Sequence, residues 1–316
     1  MPELPEVEGA RRRIEPLVAR RRIDRLVVHD PKLWHPGDGL DEDAVTSRRV
    51  RSIHRHAKIL DFTLDGDLRL LLHLKIAGQL AYVFAAGERF IGGHPYPLPT
   101  ASLPDSSTRF SVLLETGDVL HVNDQRRFAW LRLLTADEAG AFIAGQKYGP
   151  DPLDPTFTPD VLAERLRARK GRPIKAALLD QTCVAGLGNI YADESLHAAR
   201  LHPMTLAGSL APKHVAALHR AIRDVLEIAI PVGGAYVVNG RAATPSDQQE
   251  RDFLRAHGRA GEPCPDCRKP KAIIVREFLA GRGTYYCPTC QRSPAKDAGK
   301  ATSAPRARSR TAASPD

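Results

Sequence analysis

Long apolar runs are missing from this chain. Its apolar runs, such as Leu70–Leu72 and Ala176–Leu179, are core-sized and far short of the roughly 20 residues a membrane helix needs. The N-terminus lacks a cationic stretch followed by an apolar one, so no secretory signal is expected. Cysteine is scarce, with five among 316 residues. Four of the five form two close pairs, which suits a metal site in a reducing compartment better than a disulfide framework. Acidic residues are outnumbered: 37 Asp and Glu stand against 46 Lys and Arg, for a net charge of +9. That excess raises the expectation of a polyanionic partner, either nucleic acid or an acidic membrane surface, without deciding between them. The default reading is a soluble cytoplasmic protein.

What is present divides the chain. Val7, Ala10, Ile14, Leu17 and Val18 recur at helical spacing, which predicts an amphipathic helix over residues 3–20. Eight strands are expected next: Leu26–His29, Val50–Ile53, Ile59–Leu64, Leu68–Lys75, Leu80–Phe84, Arg109–Glu115, Val119–Val122 and Ala129–Leu134. Many short strands with little intervening helix point to a β-sandwich or barrel. Residues 92–107, rich in Gly, Pro and Ser, read as an exposed loop. The Pro/Gly cluster at 148–152 marks a boundary. Helices are expected beyond it, from Pro159 to about Arg169 and over Pro173–Gln181, Asn189–Ala199 and Pro212–Ile230. The tail from Ser293 has almost nothing to bury and reads as disordered and basic.

The cysteines follow the pattern C-x2-C, nineteen residues, C-x2-C: Cys264, Cys267, Cys287 and Cys290. That spacing predicts a four-thiolate tetrahedral zinc site with a structural role, since no position is left for water. Cys183 is left over as a buried free thiol. The chain opens Met1-Pro2-Glu3-Leu4-Pro5-Glu6. Removal of Met1 would leave Pro2 as a secondary amine able to form an iminium with an aldehyde-like carbon. Glu3 is close enough to move a proton at the same reacting sugar. The same residues also suit a proline-capped helix start. In Gly186-Leu187-Gly188-Asn189, glycines permit close backbone approach, and the following helix start offers amides to a phosphate or simply makes a tight turn. Asp124-Gln125-Arg126-Arg127-Phe128 offers a base-reading Arg beside an apolar wedge, or else a salt-bridging pair next to a core Phe.

Together these motifs resemble the formamidopyrimidine-DNA glycosylase and endonuclease VIII family, in the expected order and over residues 2 to about 291. The Pro-Glu-Leu-Pro-Glu start resembles the formamidopyrimidine branch. The resemblance implies a multi-domain α+β fold. Its parts are an N-terminal β-sandwich with its helix (1–135), a linker (136–155), a helix–two-turn–helix domain (156–260), a four-cysteine zinc-finger hairpin (261–292) and a tail (293–316). It implies Pro2 as Schiff-base nucleophile, Glu3 as the acid acting on the opening sugar and Glu6 as a supporting carboxylate. Lys58 would assist β-elimination, and Arg282 would contact phosphate and serve δ-elimination. His73, Lys75, Lys175 and Asn189 would contact DNA, while Ile76, Arg126 and Phe128 would enter the duplex. One zinc ion, damaged double-stranded DNA and a monomeric state complete the expectation.

Three departures from the family pattern stand out. Ile76 replaces the usual intercalating Met. Ser107-Thr108-Arg109-Phe110 replaces a segment that carries a DNA-contacting His. The base-reading stretch between Gly234 and Cys264 differs throughout. The resemblance to the formamidopyrimidine branch implies oxidised purines as the substrate, and these departures keep oxidised pyrimidines or abasic sites as the alternative. A non-catalytic DNA-binding protein is the remaining reading.

Overall fold

The computed structural model of the protein describes residues 1–94, 102–232, 235–238, 253–267, 272–279 and 281–293. Among the described residues, helix α1 (Leu4–Val18) leads into twelve strands and five further α-helices. The first sheet runs β1 (Ile23–Val28), β7 (Thr108–Leu114), β8 (Val119–Asn123), β5 (Gln79–Val83), β6 (Arg89–Gly93) and β10 (Ala235–Val238). The second runs β2 (Val50–His56), β3 (Ile59–Leu64), β4 (Leu68–His73) and β9 (Trp130–Thr135). All pairings within both sheets are antiparallel.

Alternation along the strands builds the sandwich core. Phe62, Leu70, Leu72, Leu131 and Leu133 of one sheet share a buried cluster with Leu80, Phe110, Val112, Leu120 and Val122 of the other. Val7, Ala10, Ile14 and Val18 of α1 join the same cluster. The run Leu70–Leu72 is apolar without alternation because both faces of β4 are covered. Leu71 points outward, into a second cluster with Ile59, Leu134 and Ala139. Ala139 belongs to α2 (Ala136–Gly145), whose Phe142 and Ile143 also pack there. The stretch expected as a plain linker over 136–155 therefore begins with a helix laid on the sheet.

The helical unit holds α3 (Pro159–Arg167), α4 (Ile174–Leu179), α5 (Asn189–Ala198) and α6 (Pro212–Val232) around a separate core. The hairpin of β11 (Val275–Leu279) and β12 (Arg282–Tyr286) lies on α5. Glu194 of α5 fastens the segment leading to that hairpin, since its buried carboxylate accepts from the amides of Arg255, Ala256 and His257.

Helix α1 joins the two halves. Leu4, at its first turn, is buried in the helical core, while the rest of its apolar face lies in the sandwich. The junction is tight enough to exclude a side chain at Gly188, where a Cβ would lie 2.2 Å from the carboxyl carbon of Glu3. Gly188→Ala is therefore expected to displace Glu3 and cost about 1–3 kcal/mol, the usual penalty for overpacking. The loss should appear as a lower urea midpoint at unchanged m-value; an unchanged midpoint would contradict the packing described.

Candidate active site

The N-terminal residues converge on the start of α5. Glu3 Oε1 accepts from the Ile190 amide at 3.1 Å, and Oε2 from the Tyr191 amide at 3.3 Å. The positive helix end that the sequence offered to a phosphate is thus occupied by a carboxylate of the chain itself. Glu6 Oε2 accepts from the Glu3 amide at 2.7 Å, and Glu6 Oε1 accepts from the Tyr191 hydroxyl. Burial, then the charge of Glu3, raises the Glu6 carboxyl to about 7. Pro2 is buried behind the exposed Met1, which lines an open cavity of about 280 Å³. Burial holds the chain's terminal amine below its ordinary value, while Glu3 and Glu6 act in the opposite sense.

Strand register brings the cations to that cavity. Lys58 sits in the two-residue turn between His56 and Ile59, with Ala57 at φ +55°. Ile59 pairs with His73, and His73 pairs with Trp130. Lys58, His73, Lys75, Ile76, Asn189 and Arg282 all line the cavity. Burial depresses the Lys58 ammonium despite Glu3 and Glu6. Burial, then Lys75 and Lys58, brings His73 down to about 3. His73 is therefore neutral near pH 7. Its Nδ1 accepts from the Lys75 amide at 2.9 Å, so the ring proton resides on Nε2.

Ile76 lies in the turn between β4 and β5, which closes through a 3.0 Å bond from the Gly78 amide to the Leu74 carbonyl. It also lines a second cavity, with Arg126 and Ser107. The turn carrying Arg126 and Phe128 is built on Asp124. This buried carboxylate accepts from the amides of Arg126, Phe128 and Ala129 at 2.9, 2.7 and 2.7 Å. The salt-bridging reading holds for Arg127, which pairs with Asp30 at 2.7 Å, but Phe128 is not a core residue: it is 48% exposed and stacks with Arg126.

Lys175 requires a correction. Expected to contact DNA, it is 2% exposed. Its Nζ lies 2.7 Å from Asp193 Oδ1, 2.8 Å from Thr284 Oγ1 and 3.1 Å from the Gly283 carbonyl. The ammonium donates to two acceptors of the hairpin and is ion-paired with Asp193 inside the protein. Asn189 Nδ2 donates to the same Gly283 carbonyl at 2.9 Å. These contacts pin the hairpin so that Arg282 reaches the cavity. Tyr191, Asp193 and Asp124 were missed from sequence; only the placement of Tyr191 and Asp193 on the helix after Asn189 hinted at them.

The four thiols fit a zinc ion. Their sulfurs all lie within 4.8 Å of one another, with Cys264 to Cys290 at 3.9 Å and Cys267 to Cys287 at 3.7 Å. A tetrahedron with Zn–S bonds of about 2.3 Å has edges of about 3.8 Å. Cys183 is fully buried, as expected of a structural thiol. Lys269, Lys271, residues 239–252 of the base-reading stretch and the tail beyond Ser293 lie outside the described residues. Among the described residues, no helix is long and apolar enough to cross a membrane.

A β-sandwich joined through its N-terminal residues to a helical unit and a four-cysteine finger defines a class of DNA-glycosylase folds, and comparison with known proteins agrees. The family profile described as formamidopyrimidine-DNA glycosylase N-terminal domain matches residues 1–131. The profile described as formamidopyrimidine-DNA glycosylase H2TH domain matches residues 148–239. The formamidopyrimidine-DNA glycosylase of Chloroflexus aurantiacus is 40% identical over 292 residues, covering 92% of this chain and 98% of its own length. That of Symbiobacterium thermophilum is 40% identical over 295 residues, covering 93% and 90%. The Lactococcus lactis enzyme bound to DNA containing N7-benzyl-Fapy-dG superposes with a TM-score of 0.77 at 29% identity, over 92% of this chain and all of its own. The chain belongs to the formamidopyrimidine-DNA glycosylase family.

The buried Glu6 carboxyl generates a test. Unfolded, it ionises near 4.5; folded, it keeps its proton to about 7. The folded state therefore binds more protons across that window. The stabilisation is complete below pH 4.5 and is lost as pH rises to about 7. Relative to Glu6→Gln, the wild type should lose about 3 kcal/mol over this range, at about 1.4 kcal/mol per pH unit. Urea midpoints at successive pH values measure it, and parallel curves for the two proteins would refute the assignment.

Proposed function

We infer that this protein is a bifunctional DNA glycosylase and abasic-site lyase of base-excision repair that removes oxidised purines, formamidopyrimidines among them, from duplex DNA. The observation that carries this reading is a cavity lined by Met1, Lys58, His73, Asn189 and Arg282, with Pro2 next to Met1 in the chain and Glu3 bonded to the helix start that follows Asn189. Membership of the family supports the same activity.

The damaged nucleotide leaves the stack and enters the cavity. Ile76, Arg126 and Phe128, carried on two neighbouring turns, fill the gap it leaves. Once Met1 is removed, the Pro2 nitrogen attacks C1′, the bond from C1′ to the base breaks and the base departs with a proton. The Pro2 N–H proton leaves with the base, Glu3 takes a proton from water and passes it to the opening sugar oxygen, and Glu6 with Tyr191 holds the Glu3 backbone in place. The resulting iminium acidifies the C2′ proton. Its loss, assisted by Lys58, expels the 3′ phosphate, and a second elimination at Arg282 expels the 5′ phosphate. His73, through Nε2–H, and Lys75 contact the phosphates. Asn189 grips the strand beside the lesion. The zinc ion shapes the finger and takes no part in the chemistry. The protein acts as a monomer.

A relative bound to DNA carrying a formamidopyrimidine analogue supports oxidised purine over oxidised pyrimidine as the substrate. Single-turnover excision from matched duplexes tests this choice. Formamidopyrimidine and 8-oxoguanine opposite cytosine should be released at least about tenfold faster than thymine glycol, a difference of about 1.4 kcal/mol in barrier. Preference for thymine glycol would overturn it.

A further inference from the structure

Asn189, Asp193 and His197 recur at intervals of four along α5, so they share one face of the helix. Each meets the finger. Asn189 bonds to the Gly283 carbonyl, and Asp193 Oδ2 accepts from the Tyr285 amide at 3.2 Å. His197, 1% exposed, points its Nε2 at the cysteines, 3.4 Å from Cys264 Sγ and 3.9 Å from Cys290 Sγ. It lies at an edge of the cluster, outside the set of four thiols that are all within 4.8 Å of one another. On its other side, Nδ1 lies 3.3 Å from Asp266 Oδ2 but makes no hydrogen bond among the described residues, and Asp266 is itself ion-paired with Arg255.

Four thiolates on one divalent ion carry an excess of two negative charges in a largely buried knuckle. A ring N–H aimed at a sulfur relieves that excess, whereas a bare ring nitrogen would set its lone pair against those of the sulfur. An N–H···S contact at 3.4 Å fits the first arrangement.

We propose that His197 is a hydrogen-bond donor to the zinc thiolates, a positioning residue that ties the metal centre to α5 and so keeps Arg282 at the cavity. This rests on the four-thiolate zinc centre. Of the contacts α5 makes with the finger, it is the one that reaches the metal cluster. Outer-shell donors of this kind typically alter metal affinity by about 10–100-fold.

The test uses full-length protein. Zinc content is measured first, and then zinc release to a chelator is followed for wild type, His197→Phe and His197→Gln. Cobalt-loaded samples report the sulfur-to-metal charge-transfer band. His197→Phe should release zinc at least about tenfold faster and shift the band, while His197→Gln, which keeps an N–H donor, should recover most of both. The ¹⁵N signals of the wild-type imidazole should show a proton on Nε2, a readout independent of whether either variant folds. An Nε2 without a proton, or unchanged release and an unchanged band in folded His197→Phe, would overturn the proposal. A wild type without stoichiometric zinc would instead overturn the zinc centre and the proposal with it.

Discussion

The carboxylate of Glu3 accepts from two amides that lie 187 and 188 residues further along the chain, at the first turn of α5. Much of the molecule is arranged around that contact. It requires glycine at 188, because any side chain there would occupy the carboxylate's place. It requires α1 to bridge two cores, with Leu4 in one and Val7 to Val18 in the other. It also sets the position of Pro2, whose ring precedes Glu3 directly. A helix N-terminus stabilises the carboxylate without neutralising it with a mobile cation, so Glu3 stays fixed beside Pro2.

Burial then distributes protons around the cavity. The Glu6 carboxyl is pushed up to about 7, His73 is held neutral, and both the Lys58 ammonium and the terminal amine are drawn down. Each shift follows first from loss of water and only second from neighbouring charge. Loss of water thus favours the uncharged form of each of these groups, in a cavity that Lys75 and Arg282 also line. The finger adds Arg282 from the far side, held by Lys175 and Asn189 through a shared carbonyl.

Sequence made the periodic parts legible. The eight expected strands and five expected helices are present, because alternation and helical spacing record which faces are buried. Strand Arg89–Gly93 was partly read as loop because its glycines mask its buried character, although Phe90 and Ile91 are buried. Strand Ala235–Val238 pairs with it from more than 140 residues away, a contact no local pattern encodes. Helix Ala136–Gly145 was hidden in a stretch read as linker. Within the site, motifs found the residues but not their partners. Lys175 looked like a surface cation and is an internal tie. The amides of α5 looked free and bind Glu3. Such partnerships depend on long-range docking, which a linear motif leaves unwritten.

The central claim is that the amine of Pro2 becomes covalently joined to the sugar. Borohydride reduction during reaction with a lesion-containing duplex, followed by digestion and mass spectrometry of the adduct, measures this directly. The account predicts one reduced cross-link, mapped to the Pro2 nitrogen of protein lacking Met1. A cross-link mapped to a lysine such as Lys58, or turnover with no cross-link, would contradict it.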